Sequence, residues 1–317
     1  IRDRASTNVS GDFTNNGGAF TPGGGGNTIT FNGAGAQAIN GTAATQTFNN
    51  LIVNKASGSL SVSTASVIAN GSITLTAGTF NAGANTSVAV NWTNNGVTFN
   101  PGVGTVTFTG GNAQVINGSF ASQTFNNLVI NKSGNTLIVG GSTTTLNVVN
   151  LTRQAGTFTA PATVNISGNV LLTAGIYTAG ANTNVGGDFT NNGGTFTPGA
   201  GNTVTFNGAG AQVINGTLTP QPFTNLVIDK SAGTLSVSGV ITLNVAGNWT
   251  NNNSTFSPGS STVNFNGTTG PQQINGTSVT QIFNNLVVTK SGTAPLTLSV
   301  VGSTTAINVA AFTQTTG

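Results

Sequence analysis

Short runs in which apolar residues alternate with small or polar ones recur along the whole chain, each a few positions long and each bounded by turn residues. Thr28-Ile29-Thr30-Phe31, Thr105-Val106-Thr107-Phe108 and Thr203-Val204-Thr205-Phe206 are three of them. A period of two predicts strands with one side facing inward. Between the runs stand Asn-Asn-Gly-Gly, Pro-Gly and Asn-Gly-Thr, residues that tolerate the left-handed region or preset φ at a corner.

The runs belong to a longer phrase. It opens on an aromatic residue, FTNNGG or WTNN, at Phe13, Trp92, Phe189 and Trp249. It then passes through an AQxIN segment at 37–40, 114–117, 212–215 and, altered, 272–275. It continues into FNNLIVNK at 48–55, FNNLVINK at 125–132, FTNLVIDK at 223–230 and FNNLVVTK at 283–290. The apolar Leu-Val-Ile runs read as buried parallel strands. Leu51, Leu128, Leu226 and Leu286 are accordingly expected in the core, with Phe13, Trp92, Phe189 and Trp249 as its aromatic fillers.

The openings lie 79 residues apart from 13 to 92, 97 from 92 to 189, and 60 from 189 to 249. These spacings differ by about one third of the shortest, so the repeat changes length by whole sub-units. The added material shows the sub-unit directly, as SITLTAGTFNAGANTSVAVN at 72–91 and as LTRQAGTFTAPATVNISGN followed by VLLTAGIYTAGANTNVGGD at 151–188. A period near 20 with whole-unit insertions marks a solenoid. The expected fold is all-β: one continuous right-handed parallel β-solenoid over 1–317, of about 16 rungs of roughly 20 residues, with neither end capped.

FTQTTG at 312–317 aligns with LTRQAG at 151–156 and stops within a rung. Placed before IRDRASTNVSGD at 1–12, it completes one. Ile1, Arg2, Asp3 and Arg4 at one end, and Phe312, Thr313, Gln314 and Gly317 at the other, are therefore the expected subunit junction. Unpaired edges with matching sequence pair end to end, and head-to-tail contacts that do not close give open filaments.

Composition sharpens this picture. Only 3% of residues are charged, against about 25% in ordinary soluble domains. Seven cations and four acids leave a net charge of +3, and the cations are scattered, whereas nucleic-acid binders cluster them. Lys55, Lys132, Lys230 and Lys290 occupy one place in the phrase and read as spaced, solvated charges. With so few ionisable groups, stability is expected to depend weakly on pH. No apolar run approaches 18 residues, so no membrane span is expected.

Cys, His and Met are absent, and the four acids are Asp3, Asp12, Asp188 and Asp229. Asp12 and Asp188 stand where other copies carry Asn91 and Asn248, so Asp there reads as a turn residue. Without His, Cys or Glu there is no nucleophile–base pair and no metal cluster, and the expectation is a chain with no catalytic, cofactor or metal residues. The GGGG at 23–26 lacks the context of a phosphate loop.

The recurrent NGxGAQxINGT and FNNLxIxKSxGTLxV phrases resemble the β-strand repeats of large secreted bacterial surface proteins, akin to filamentous-haemagglutinin-like adhesins and autotransporter passengers. The resemblance spans the chain but is one of repeat style, and it carries over no functional residue. It implies export, a β-helix and a surface role. The expected function is a structural extracellular filament that assembles with copies of itself. The alternative is an adhesin stalk or glycan-binding module, with surface glycans as partners.

Overall fold

The computed structural model describes residues 2–3, 6–18, 20–22, 26–83, 85–252, 254–292 and 296–316. Among them there is no helix, and hence none long and apolar enough to cross a membrane. The chain is a parallel β-solenoid of about 14 turns. It divides into two compact units, Ile1–Pro161 and Ala162–Gly317, where the repeat pattern draws no boundary.

Within each unit strands pair in parallel with the equivalent segment one turn later, often the third strand on, as Phe13–Thr14 does with Gln37–Asn40. Strands that run on round a corner, such as Asn50–Val62 and Ser122–Val139, pair on more than one ladder; a turn has three faces. In the first unit one ladder runs Thr7, Ile29, Leu51, Ile73, Trp92, Ile116 and Val139. A second runs Phe13, Ile39 and Val62, and a third Gln46, Val67, Thr86, Val106, Leu128 and Leu151. The second unit repeats the scheme, with Val164, Thr183, Val204, Leu226, Trp249, Ile274 and Val300 on one ladder and Val170, Phe189, Ile214 and Val237 on another.

The turn count corrects the 16 expected rungs in one respect. Steps along a ladder are uneven: 19 residues from Ile73 to Trp92, 22 from Ile29 to Leu51, 24 from Trp92 to Ile116 and 26 from Phe13 to Ile39. Corner loops take up the excess, so fewer turns fit. The large repeat is not a whole number of turns either. Trp92 stands four turns above Thr7, and Phe13 is one strand beyond Thr7, so the openings at 13 and 92 are four turns less one strand apart. Trp249 stands three turns above Thr183, and Phe189 is again one strand beyond it. Insertions do come as whole turns, as the spacing differences indicated, but each phrase opens on a different face from its predecessor in the same unit.

Alternation decides what is inside. In Thr28–Phe31 the side chains of Ile29 and Phe31 are buried and those of Thr28 and Thr30 are half-buried outside. Leu51, Leu128, Leu226 and Leu286 are buried. The Leu-Val-Ile runs are buried on one side only, since Ile52, Val129, Val227 and Val287 face outward and stay half-buried. Apolar burial of this kind, at about 25 cal/mol per Å², is the main favourable term holding successive turns together.

The aromatic openings are core residues. Trp92, Phe189 and Trp249 are fully buried and Phe13 is half-buried. Each meets one ring from its own turn and one from the next. Trp92 lies 4.7 Å from Phe99 and 5.4 Å from Phe125, edge to face, and Trp249 lies 4.9 Å from Phe256 and 5.2 Å from Phe283. Phe13 with Phe20 and Phe48, and Phe189 with Phe196 and Phe223, repeat the triad. Edge-to-face pairs at this distance add about 1 kcal/mol beyond burial. These four rings therefore do not present a ladder on which a glycan would stack.

One contact explains why the FTNN and ING phrases travel together. Gly41, Gly118, Gly216 and Gly276 each follow Ile-Asn and adopt φ of +114°, +140°, +122° and +117°. A Cβ there would sit 2.1, 1.9, 2.1 and 2.1 Å from the carbonyl oxygens of Asn15, Asn94, Asn191 and Asn251 on the turn before. Only glycine allows the backbones to come this close.

Candidate functional site

The most elaborate side-chain constellation is built around the four lysines, and it overturns their reading as solvated charges. Lys55, Lys132 and Lys290 are at most 1% exposed and Lys230 is 8% exposed. Alternation sends them inward: Leu51, Val53 and Lys55 share the core side of one strand, as do Leu128, Ile130 and Lys132. Arg153, two residues beyond Leu151, is buried by the same rule.

Each lysine reaches back one turn to the glutamine of the AQxIN segment, always 18 residues earlier. Nζ donates to Oε1 of Gln37 at 2.6 Å, of Gln114 at 2.5 Å, of Gln212 at 2.6 Å and of Gln272 at 2.7 Å. Its other protons go to corner carbonyls: Gly33 for Lys55, Gly110 and Asn112 for Lys132, Gly208 and Gly210 for Lys230, and Gly270 for Lys290.

The glutamine reaches one turn further back. Nε2 of Gln37 donates to the carbonyls of Val9 and Gly11, and Gln114 to those of Val88 and Val90. Gln212 donates to Val185 and Gly187, and Gln272 to Val245 and Gly247. Oε1 of Gln37, Gln212 and Gln272 also accepts the amide N–H of Gly33, Gly208 and Gly267, at 2.9, 3.0 and 3.0 Å. Both protons and both lone pairs of those three amides are thereby used. Glycine is needed at this corner, since a Cβ at Gly33 would lie 2.2 Å from the carbonyl oxygen of Ser10.

The result is a clasp that joins three consecutive turns through one lysine and one glutamine, made four times. In two copies the inserted AGTF phrase closes it from the following turn. Gly78 packs on Cβ of Lys55 and Gly156 on Cβ of Lys132, where any side chain would collide. The acceptors around each Nζ are neutral, so burial favours the uncharged amine. All four lysines are held below the ordinary value, Lys132 at about 8.

Asparagine adds further ties between turns. Asn100 donates to Asn81, Asn150 to Asn127 and Asn184 to Asn165, each at 2.8 Å, and Asn264 to Asn244 at 3.1 Å. The Asp/Asn position explains itself in the same way. Oδ1 of Asp12, Asn91, Asp188 and Asn248 accepts the amide N–H of Ala38, Val115, Val213 and Gln273 on the next turn, at 2.8–2.9 Å. Both side chains carry that oxygen, so they interchange.

The junction candidates do not form a site. Ile1, Arg4 and Gly317 lie outside the described residues, as do the side chains of Arg2 and Asp3, although Arg2 and Asp3 pair with Thr21 and Pro22. Phe312, Thr313 and Gln314 belong to Ala306–Thr316, where Phe312 pairs with Leu286 and is 56% exposed. A cavity of about 440 Å³ opens beside it, lined by Ile274, Leu286, Val288, Leu298, Val300 and Phe312 among others. Among the described residues no three His, Cys, Asp or Glu side chains are grouped to hold a metal.

The chain was compared with protein-family models, with curated proteins and with solved structures, and it matches none of them.

Proposed function

We propose that this chain is a structural, extracellular protein whose β-solenoid turns add end to end into a filament or fibre, with further copies of itself as partners. The observation that carries the reading is the clasp. A lysine and a glutamine buried in each large repeat connect three turns lengthwise, and asparagine rows run in the same direction. Bonds in that direction resist separation of turns under load. The clasp groups are spent on the coil itself: Lys132 and Lys230 each donate to three of its oxygens, and Lys55 and Lys290 to two.

The turn that carries Phe312 presents a surface on which a further turn, of this chain or a copy, would stack. At the inward positions one turn earlier, Phe283, Leu286 and Val288 are covered, whereas Val309 and Phe312 are 38% and 56% exposed. An added turn of the same kind would cover them and pair the outer backbone edge. The surface location rests on the resemblance of the phrases to exported bacterial repeats.

Electron microscopy of the purified chain over a range of concentrations tests the proposal. Filaments that lengthen with concentration, give the ~4.8 Å axial spacing of stacked strands and are abolished by Phe312→Asp are the expected result. A chain that stays monodisperse at every concentration overturns the stacking. If parent and Gln114→Leu chains then unfold at the same force when pulled along the coil, the mechanical reading fails as well.

A further inference from the structure

Asn-Gly is the dipeptide most prone to spontaneous loss of ammonia, and this chain contains it eleven times. The chemistry is intramolecular. The glycine amide nitrogen gives up its proton and attacks the asparagine Cγ, the bond from Cγ to Nδ2 breaks, and Nδ2 leaves as ammonia. The five-membered imide that results is opened by solvent water at either carbonyl, giving aspartate or isoaspartate. Two structural conditions suppress the first step: an extended asparagine that keeps Cγ away from the next nitrogen, and a hydrogen bond that occupies the glycine N–H.

Ten of the eleven pairs meet one of these conditions. Asn40, Asn117, Asn215 and Asn275 are strand residues locked in the ladders. The amides of Gly33, Gly208 and Gly267, which follow Asn32, Asn207 and Asn266, are held by the clasp glutamines. Gly71, after Asn70, donates to the carbonyl of Asn49 at 2.7 Å. Gly17 and Gly193, after Asn16 and Asn192, donate to Oδ1 of Asn15 and Asn191, both at 3.2 Å.

The eleventh is Asn95-Gly96. Both residues are exposed in a bend, and among the described residues the Gly96 amide has no acceptor. The cause is one substitution within the repeat. NNGG at 15–18 and 191–194 becomes NNGV at 94–97, and Val97 captures the side chain that would otherwise protect the glycine. Asn94 Oδ1 accepts the Val97 amide at 2.9 Å and Nδ2 donates to the Val97 carbonyl at 3.1 Å.

We infer that Asn95 is a site of spontaneous modification, converting through a Gly96 imide to isoaspartate and aspartate while the other ten Asn-Gly pairs are preserved by the fold. The product carries a new negative charge on a unit whose acids are otherwise Asp3 and Asp12 alone.

The purified chain, aged in mildly alkaline buffer and mapped by peptide mass spectrometry, tests this. The expected result is a gain of about 1 Da and isoaspartate at residue 95, formed about tenfold faster than at any other Asn-Gly, the factor expected when one amide hydrogen bond no longer has to break. Val97→Gly returns Asn94 to the Gly96 amide and is expected to slow the reaction at 95 without stopping the aspartate pathway in an unfolded peptide of the same sequence. Conversion spread evenly over the eleven pairs, or an intact Asn95 under conditions that convert the free peptide, overturns the assignment.

Discussion

Lys132 donates from Nζ to Oε1 of Gln114 at 2.5 Å, across one turn of the coil and with no acid in the contact. Neither residue can be altered alone without leaving the other buried and short of a partner. Gln114→Leu is expected to cost about 3 kcal/mol, because a buried ammonium loses an acceptor. Lys132→Met is expected to cost about 2 kcal/mol through orphaned carbonyls. The double variant should be more stable than the sum by about 1–2 kcal/mol, read from urea midpoints, since each change removes the other's unmet partner.

Burial of the four lysines overturns the weak pH dependence expected from composition, and alkaline pH should stabilise this fold. An unfolded lysine titrates near 10.5 and Lys132 in the coil near 8. Between those values the unfolded chain binds more protons, so stability rises with pH through this window, and below it both states are protonated and the contribution is flat. The other three lysines shift in the same direction. The urea midpoint is expected to climb from about pH 8 to about pH 10.5, and Lys132→Met should reduce the climb. A midpoint that falls over the same range would contradict the burial of these amines.

Gly118→Ala combines an unfavourable φ of +140° with a Cβ 1.9 Å from the Asn94 carbonyl oxygen. A loss of about 3 kcal/mol or more is expected. Gly239→Ala, at φ of +87° with open space around it, should cost only about 1 kcal/mol, since strain acts there without a collision. Equal losses by chemical denaturation would remove the close approach as the reason for the ING phrase.

The two tryptophans report on different units, Trp92 on the first and Trp249 on the second. Phenylalanine already fills the equivalent places at Phe13 and Phe189. Trp92→Phe is therefore expected to lose about 1 kcal/mol and Trp92→Ala about 4 kcal/mol. In Trp92→Phe and Trp249→Phe chains the remaining indole should be shielded from aqueous quencher until its own unit unfolds.

Asp188→Asn should be neutral within about 0.5 kcal/mol, because Oδ1 still accepts the Val213 amide, while Asp188→Ala should cost about 1 kcal/mol. A charge requirement would appear as a loss in the Asn variant.

How much of this was legible follows from particular residues. The strand period at Thr28–Phe31 and the repeated openings were enough for a parallel β-solenoid with Leu51 and Trp92 inside. The pattern also contained the clasp: Leu51, Val53 and Lys55 alternate on one side, so the lysine had to point inward with them. Lysine is ordinarily solvated, and that tendency runs against the period there. The partner was less accessible, because Gln37 precedes Lys55 by 18 residues while the ladder step beneath it, Ile29 to Leu51, is 22 residues. Nothing in spacing alone brings those two together across a corner. The turn count is hidden for the same reason, since corner loops such as 32–36 add length that the strand pattern does not register.

Nearly identical phrases within one chain invite errors of assembly, in which a turn joins the cousin of its proper neighbour. The missing strand per large repeat guards against this. Within the first unit the Phe13 and Trp92 phrases arrive on different sides of the coil, so an exchange would demand a twist of one face as well as a slide of nearly four turns. Within each unit a growing coil therefore meets the second phrase opening out of phase with the first.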